Sequence, residues 1–135
     1  MSKTTFNTKG LMSSIKQDWK TPDNLFKQLN KEFNFNYDPC PSYRLKDYDG
    51  LVCEWGERSF VNPPYKDIKK WIEKGYNEWR KGKLVVFLIP ARTDTIYFHK
   101  WIYPYAELRF IKGRLRFNDG KGSAPFPSMI AILKS

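Results

Sequence analysis

LVVFLIPART, residues 84–93, decides how the rest of the chain is read. Residues 84–89 are continuously apolar, with no alternation of polar and apolar positions, and such a run predicts a strand buried on both faces of a parallel sheet. A sheet covered by helices follows from it. Pro90-Ala91-Arg92-Thr93 then makes a loop. Upstream, Ile68, Trp71, Ile72, Gly75, Tyr76 and Trp79 repeat at helical spacing behind Asp67 as N-cap, and Gly82 stops that helix. Residues 59–61 form a short strand that runs into Asn62-Pro63-Pro64-Tyr65. Thr21-Pro22 opens an earlier helix, with a hydroxyl to cap it and proline at its first position, and Leu25, Phe26, Leu29 and Phe33 share one face up to Glu32. Phe33, Phe35 and Tyr37 alternate with Asn34, Asn36 and Asp38, so a short strand ends at Asp38-Pro39-Cys40. Residues 43–58 are mostly loop. After residue 93, Tyr97, Phe98, Trp101 and Ile102 mark a helix ending by Pro104, and residues 108–111, 115–117 and 129–133 read as three strands, the last two joined by NDGKGS. The expected fold is α/β, with a mostly parallel sheet and an antiparallel C-terminal edge.

Composition narrows the function. A chain of 135 residues with 41% hydrophobic and 17% aromatic residues sustains one core, so residues 18–135 are expected to form a single domain behind a flexible polar leader, residues 1–17. The longest apolar stretch falls far short of the roughly 20 residues a bilayer requires, so a cytoplasmic protein with no membrane association is expected. Two cysteines, Cys40 and Cys53, give neither a metal spacing nor a disulfide framework, and the single histidine, His99, removes the partner that zinc or Ser-His and Cys-His chemistry needs. Lysine and arginine total 24 against 14 acids, a net charge of +10, which suits a polyanion partner. A solubility surface is the competing reading of that charge.

In a parallel sheet ligands bind at the carboxyl ends of the strands. Three unusual loops fall there: Asp38-Pro39-Cys40-Pro41, Asn62-Pro63-Pro64-Tyr65 and Pro90-Ala91-Arg92-Thr93. In the second, proline fixes φ and restricts the residue before it, so the Asn62 amide oxygen and a proline carbonyl form two acceptors aimed at one point. They suit an NH₂ group. The amine of adenine is a weak nucleophile because its lone pair is delocalised into the ring, and accepting both hydrogens from preset directions favours an attacking, tetrahedral nitrogen without a strong base. Tyr65 supplies a flat ring for the base to stack on once it has left the duplex.

The motifs D-W-K-T-P at 18–22, F-N-F-N-Y-D-P-C at 33–40, D-G-L-V-C-E-W at 49–55, V-N-P-P-Y at 61–65, L-I-P-A-R-T at 88–93 and F-I-K-G-R-L-R-F at 110–117 occur in an order and spacing that resemble the small phage-type DNA N6-adenine methyltransferases of the Dam family. The resemblance implies a minimal Rossmann-like methyltransferase sheet with helices on both faces, S-adenosyl-L-methionine as methyl donor, and adenine in double-stranded DNA as acceptor. It also implies a phage- or prophage-encoded enzyme acting in a bacterial host. Asn62, Pro63, Pro64 and Tyr65 resemble the catalytic loop, with Asn62 also beside the cofactor. Trp19, Thr21 and Pro22 resemble the segment that closes over the cofactor, and Asp38, Pro39 and Cys40 the cofactor loop, where Asp38 meets the positive methionine end. Asp47, Asp49 and Glu54 are candidates for the ribose acid, with Asp49 preferred. Arg92, Lys112, Arg114 and Arg116 are the expected DNA contacts, although the Lys112-Gly113-Arg114 turn also reads as a solvated hairpin face. Unlike most methyltransferases, the cofactor loop carries no glycine.

The length leaves no segment for a separate target-recognition domain, so a very short site, little sequence reading, or a homodimer is expected. The biological role is open, protection of DNA from restriction being one. The same Asn-Pro-Pro-Tyr chemistry serves enzymes that methylate amines in RNA or the glutamine amide in proteins. Against a protein substrate stand the +10 charge and Arg109, Arg114 and Arg116. A basic, aromatic-rich domain that binds nucleic acid without catalysis is the rival of another class.

Overall fold

A computed structural model of the chain describes residues 20–40, 49–116 and 125–134. The leader, residues 1–17, Trp19, Asp47 and the NDGKGS turn lie outside the described residues. In chain order the elements are α1 (Asp23–Phe33), β1 (Arg58–Val61), α2 (Ile68–Arg80), β2 (Leu84–Pro90), a π-helical turn (Phe98–Ile102), β3 (Glu107–Phe110) and β4 (Ser128–Leu133).

The four strands form one sheet in the order β1-β2-β4-β3. β1 pairs parallel with β2, whereas β4 pairs antiparallel with both β2 and β3. Hence β1, β2 and β3 run one way and β4 alone opposes them. The expectation of a mostly parallel sheet therefore holds for strand direction but not for pairing, and the antiparallel strand is interior instead of forming the edge. The physical reason lies in the two sequences. SMIAIL in β4 is buried at every position and needs a neighbour on each side. ELRF in β3 has exposed ends and two charges, which suits an edge.

β2 is buried from Val85 to Pro90, and its alternate side chains enter two separate clusters. Val85, Phe87 and Ile89 pack with Trp71 and Ile72 of α2 and with Phe98, Trp101 and Ile102 of the π turn. Val86 and Leu88 pack with Leu29, Phe35, Phe60, Ile130 and Ile132, and Leu25 and Phe26 of α1 close over them. Gly75 lets α2 approach: a Cβ there would lie 2.3 Å from the ring of Phe87.

Residues 33–37 depart from the expected strand. α1 runs through Phe33 and ends at Asn34, which turns left-handed at φ 55° while its N–H bonds the Asn30 carbonyl. What remains extended is one parallel bridge, Tyr37 to Ser59, flanked by Asn36 N to Arg58 O at 2.9 Å and Phe60 N to Tyr37 O at 3.0 Å. Pro22 occupies the N-cap position without a side-chain cap, so the Thr21 hydroxyl does not cap α1 as expected. Leu115 belongs to no named strand, and Phe117 lies outside the described residues. The Arg109 guanidinium makes a bidentate pair with Glu32 at 2.7 Å, which clasps α1 to β3, and meets Glu107 at 2.9 Å.

The amino end of β2 is held by buried charge. Lys83 Nζ lies 2.6 Å from Glu78 Oε1, 2.8 Å from Glu54 Oε2 and 2.7 Å from the Trp55 carbonyl. Lys74 and Lys81 reach Glu78 Oε2 at 2.9 and 3.1 Å. Burial pushes the Glu78 carboxyl up, but hydrogen bonds from these three lysines outweigh it and hold the group at about 2, below its ordinary 4.5. A carboxyl depressed on folding stabilises the fold above its unfolded value and loses that contribution as it protonates. Glu78→Ala is expected to cost ~3–5 kcal/mol in urea unfolding, because Lys83 stays buried without its closest partner. The wild-type chain should lose stability as pH falls from 4.5 towards 2, and that acid slope should flatten in the variant.

Candidate active site

Because β1, β2 and β3 share a direction, their last residues Val61, Pro90 and Phe110 lie along one edge of the sheet. β4 begins at that edge, with Ser128 opposite Pro90 and Met129 opposite Phe110. The parallel bridge between Tyr37 and Ser59 brings Asp38-Pro39-Cys40 to the same side. The three loops named from sequence therefore gather on one edge, and the Lys112-Gly113-Arg114 turn joins them at the far end.

Asn62-Pro63-Pro64-Tyr65 leaves β1 here. Pro63 is buried, while Asn62, Pro64 and Tyr65 are half-buried, and none of the described peptide bonds is cis. Asn62 Nδ2 donates to Thr21 Oγ1 at 2.9 Å, which joins the segment before α1 to the loop. The Tyr65 ring stands edge-on to Phe126, with centroids 4.9 Å apart at 83°. Arg92 lies 5.6 Å from the same Phe126 ring, and Ala91 N bonds the Pro127 carbonyl at 2.8 Å. Phe126 thus links the loops after β1 and β2. Burial pushes the Tyr65 phenol well above its ordinary value, and the positive charge of Arg92 offsets only part of that.

The acidic loops are built as turns. Asp38 Oδ1 accepts from Cys40 N at 2.9 Å, and Asp49 Oδ1 accepts from Leu51 N at 2.9 Å. Pro39 and Cys40 are buried, and Cys40 packs in the cluster with Trp55 and Trp71. Gly50 presses on this loop, since an added Cβ would meet the Pro39 carbonyl oxygen at 2.1 Å and Trp71 at 3.0 Å. Trp55 Nε1 holds the Gly50 carbonyl at 2.7 Å. Gly50, on a neighbouring loop, therefore packs closely against the Asp38 loop. Tyr37, just before Asp38, brings its hydroxyl within 3.1 Å of Cys53 Sγ.

Arg92, Lys112, Arg114 and Arg116 are all exposed, and Gly113 turns at φ 76° between two of them. A surface hollow of about 290 Å³ lined by Leu51, Lys70, Glu73, Lys74 and Asn77 includes none of the residues predicted for the site. The sequence reading missed Phe126. The signal was an aromatic residue between two prolines immediately before the last strand.

An α/β domain that gathers a rigid proline loop, acidic turns and a basic rim at its strand ends has the layout of a ligand-binding group-transfer domain. The chain matches the model of the DNA N-6-adenine-methyltransferase (Dam) family over residues 8–132, and it belongs to that family. No curated protein matches it. No helix among the described residues is long and apolar enough to cross a membrane.

Gly50→Ala is expected to cost about 1–3 kcal/mol of stability, measured by thermal or urea unfolding, because the Pro39 backbone and the Trp71 ring leave the new methyl no room. Alanine at the open Gly82, where nothing lies within 4 Å but φ is 98°, controls for backbone strain alone.

Proposed function

We propose that the chain transfers a methyl group from S-adenosyl-L-methionine to the N6 amine of adenine in double-stranded DNA. The observation that carries this reading is the Asn62-Pro63-Pro64-Tyr65 loop at the carboxyl end of β1, with the Asn62 amide braced by Thr21 and a neutral aromatic ring beside it. The sheet is read as a reduced Rossmann-like methyltransferase sheet, with α1 over one face and α2 and the π turn over the other. The two clusters that divide the side chains of β2 support that layout.

The residues present fit the cofactor by their chemistry. The Asp38 carboxylate suits the ammonium of the methionine end, Asp49 a ribose diol, and the segment of Thr21 and Pro22 already reaches the loop through Asn62. Trp19 completes that segment, and Pro39 and Cys40 fix the path of the Asp38 loop. S-adenosyl-L-methionine, when bound, supplies a methyl group on a positively charged sulfur. The chain acts on the other reactant. Asn62 Oδ1 and the Pro63 carbonyl accept the two hydrogens of the adenine amine, which draws the nitrogen towards a tetrahedral shape and frees its lone pair from the ring. Pro64 keeps both acceptors from relaxing. The surplus proton of the methylated amine passes to water, so no general base is needed. Tyr65 stacks on the extruded base, a contact worth ~1–3 kcal/mol.

Arg92, Lys112, Arg114 and Arg116 face the phosphates, in keeping with the net charge of +10. The place of action is the cytoplasm of a bacterial cell, with the gene carried by a phage or prophage, and a homodimer would extend the DNA contact.

The deciding experiment follows labelled methyl from S-adenosyl-L-methionine into duplex DNA, duplex RNA and a protein extract, and identifies the modified nucleoside or residue. N6-methyladenine in DNA is expected. Label confined to RNA or protein would reassign the substrate, and DNA binding with no label would make the domain a binder. Asn62→Ala should abolish transfer while cofactor affinity, measured by calorimetry, stays within a few fold. Tyr65→Phe should retain most activity and Tyr65→Ala should lose about tenfold or more, because stacking needs the ring and not the hydroxyl. The reverse order in the same assay would argue against a stacked base.

A further inference from the structure

The cations of α2 and its flanks fall into two groups. Lys74, Lys81 and Lys83 converge on Glu78, and the last two also reach Glu54. Glu78 lies in the last turn of α2 and Lys83 precedes β2, so this group is neutralised at the amino end of the sheet. Lys66, Lys69 and Lys70 are different: all three are exposed, and none pairs with an acid among the described residues. Asp67 and Glu73 share their turns, but the lysines outnumber them and neither carboxylate holds one.

The unpaired group stands where the chemistry is proposed. β1 ends at Val61 and α2 begins at Ile68, so these lysines lie at the carboxyl end of β1, directly after Tyr65. The rim already described sits elsewhere. Lys112, Arg114 and Arg116 follow β3, which is three strands from β1, roughly 14 Å at about 4.8 Å per strand. Arg92 is nearer, with its guanidinium 5.6 Å from the Phe126 ring. The phosphates on either side of an extruded nucleotide stay tethered to it through its own sugar, so they lie close to the loop that takes the base. A lysine, with a point charge on a flexible four-carbon stem, suits a phosphate whose exact place varies with the sequence around it.

We propose that Lys66, Lys69 and Lys70 bind backbone phosphates of the duplex at the Asn62 end of the site, extending the DNA contact beyond Arg92 and the turn after β3. The assignment rests on the reading of duplex DNA as the substrate. It divides α2 into an amino-terminal turn that meets DNA and a carboxyl-terminal turn whose lysines serve the fold.

The test measures binding of a fluorescent mixed-sequence DNA duplex by anisotropy over a series of salt concentrations. Wild type is compared with Lys66→Gln/Lys69→Gln/Lys70→Gln and with Lys27→Gln/Lys31→Gln, and thermal melting checks the fold of each. Lys27 and Lys31 are exposed on α1 and also pair with no acid among the described residues, so they control for net charge alone. The slope of log affinity against log salt should fall by about two to three units in the triple variant, about one for each lost phosphate contact, and by less than about half a unit in the control. If the triple variant does not fold, the three single variants decide, each losing about one unit. A slope within about half a unit of wild type would overturn the assignment, and so would an equal fall per removed charge in the control. Methyl transfer by wild type is followed in parallel. Duplex binding without transfer overturns the methyl-transfer reading and leaves the slope to decide on the lysines. Transfer to DNA with an unchanged slope in the triple variant overturns the lysines alone, and a wild type that binds no duplex overturns both.

Discussion

The burial of β2 on both faces is the constraint on which everything else rests. A strand whose side chains alternate between two dry clusters has to be covered twice, and no single helix can do that. α2 and the π turn take Val85, Phe87 and Ile89, whereas α1 closes over Val86 and Leu88. Its backbone must also be satisfied on both sides, which places β1 along one edge and β4 along the other. Because β1 is parallel to it, the loops leaving both strands open on one side. The site is a consequence of that pairing.

Charge is distributed to match. The buried ionic network of Glu78, Lys83 and their neighbours sits just before β2, at the amino end of the sheet. The loop proposed for chemistry sits just after β1, at the carboxyl end. The register of β1 on β2 sets Asn62 level with Leu88, five residues beyond Lys83 along the strand direction, a separation of roughly 17 Å. At the loop's end of the sheet stand exposed cations at the rim, the acidic turns of Asp38 and Asp49, and the Tyr65 phenol, whose pKa burial raises further above its ordinary value.

Much of this was legible in the sequence, and the failures share a cause. β2 and α2 could be read because apolar run and helical spacing are local signals. The gathering of three loops on one edge followed once a parallel sheet was inferred. Pairing partners are not local, so the insertion of β4 between β2 and β3 escaped a reading that knew only the order of strands. Asn34 was invisible for a related reason: alternation at 33–37 looks like a strand until α1 extends through Phe33 and a left-handed residue ends it. The pairing of Arg109 with Glu32 was invisible because 77 residues separate them. Phe126 was hidden by its prolines, and Thr21 read as a cap because the amide that donates to it lies 41 residues along the chain.

Those last two residues show how a small domain can build a rigid site without a dedicated scaffold. The Asn62 loop is stiff along its backbone because of two prolines, but proline leaves the side chains on either side of it free to turn. Each of those side chains is then held from outside the loop: Asn62 by a hydroxyl at the entrance to α1, and Tyr65 by a ring at the entrance to β4. Each brace comes from a residue one proline ahead of an element that is packed into the cluster shared by α1 and β2. The same apolar burial that stabilises the fold therefore also seats the residues that hold the side chains of the loop. In a chain of 135 residues the helix that covers one cluster therefore also brings the residue before its N-cap against the proline loop.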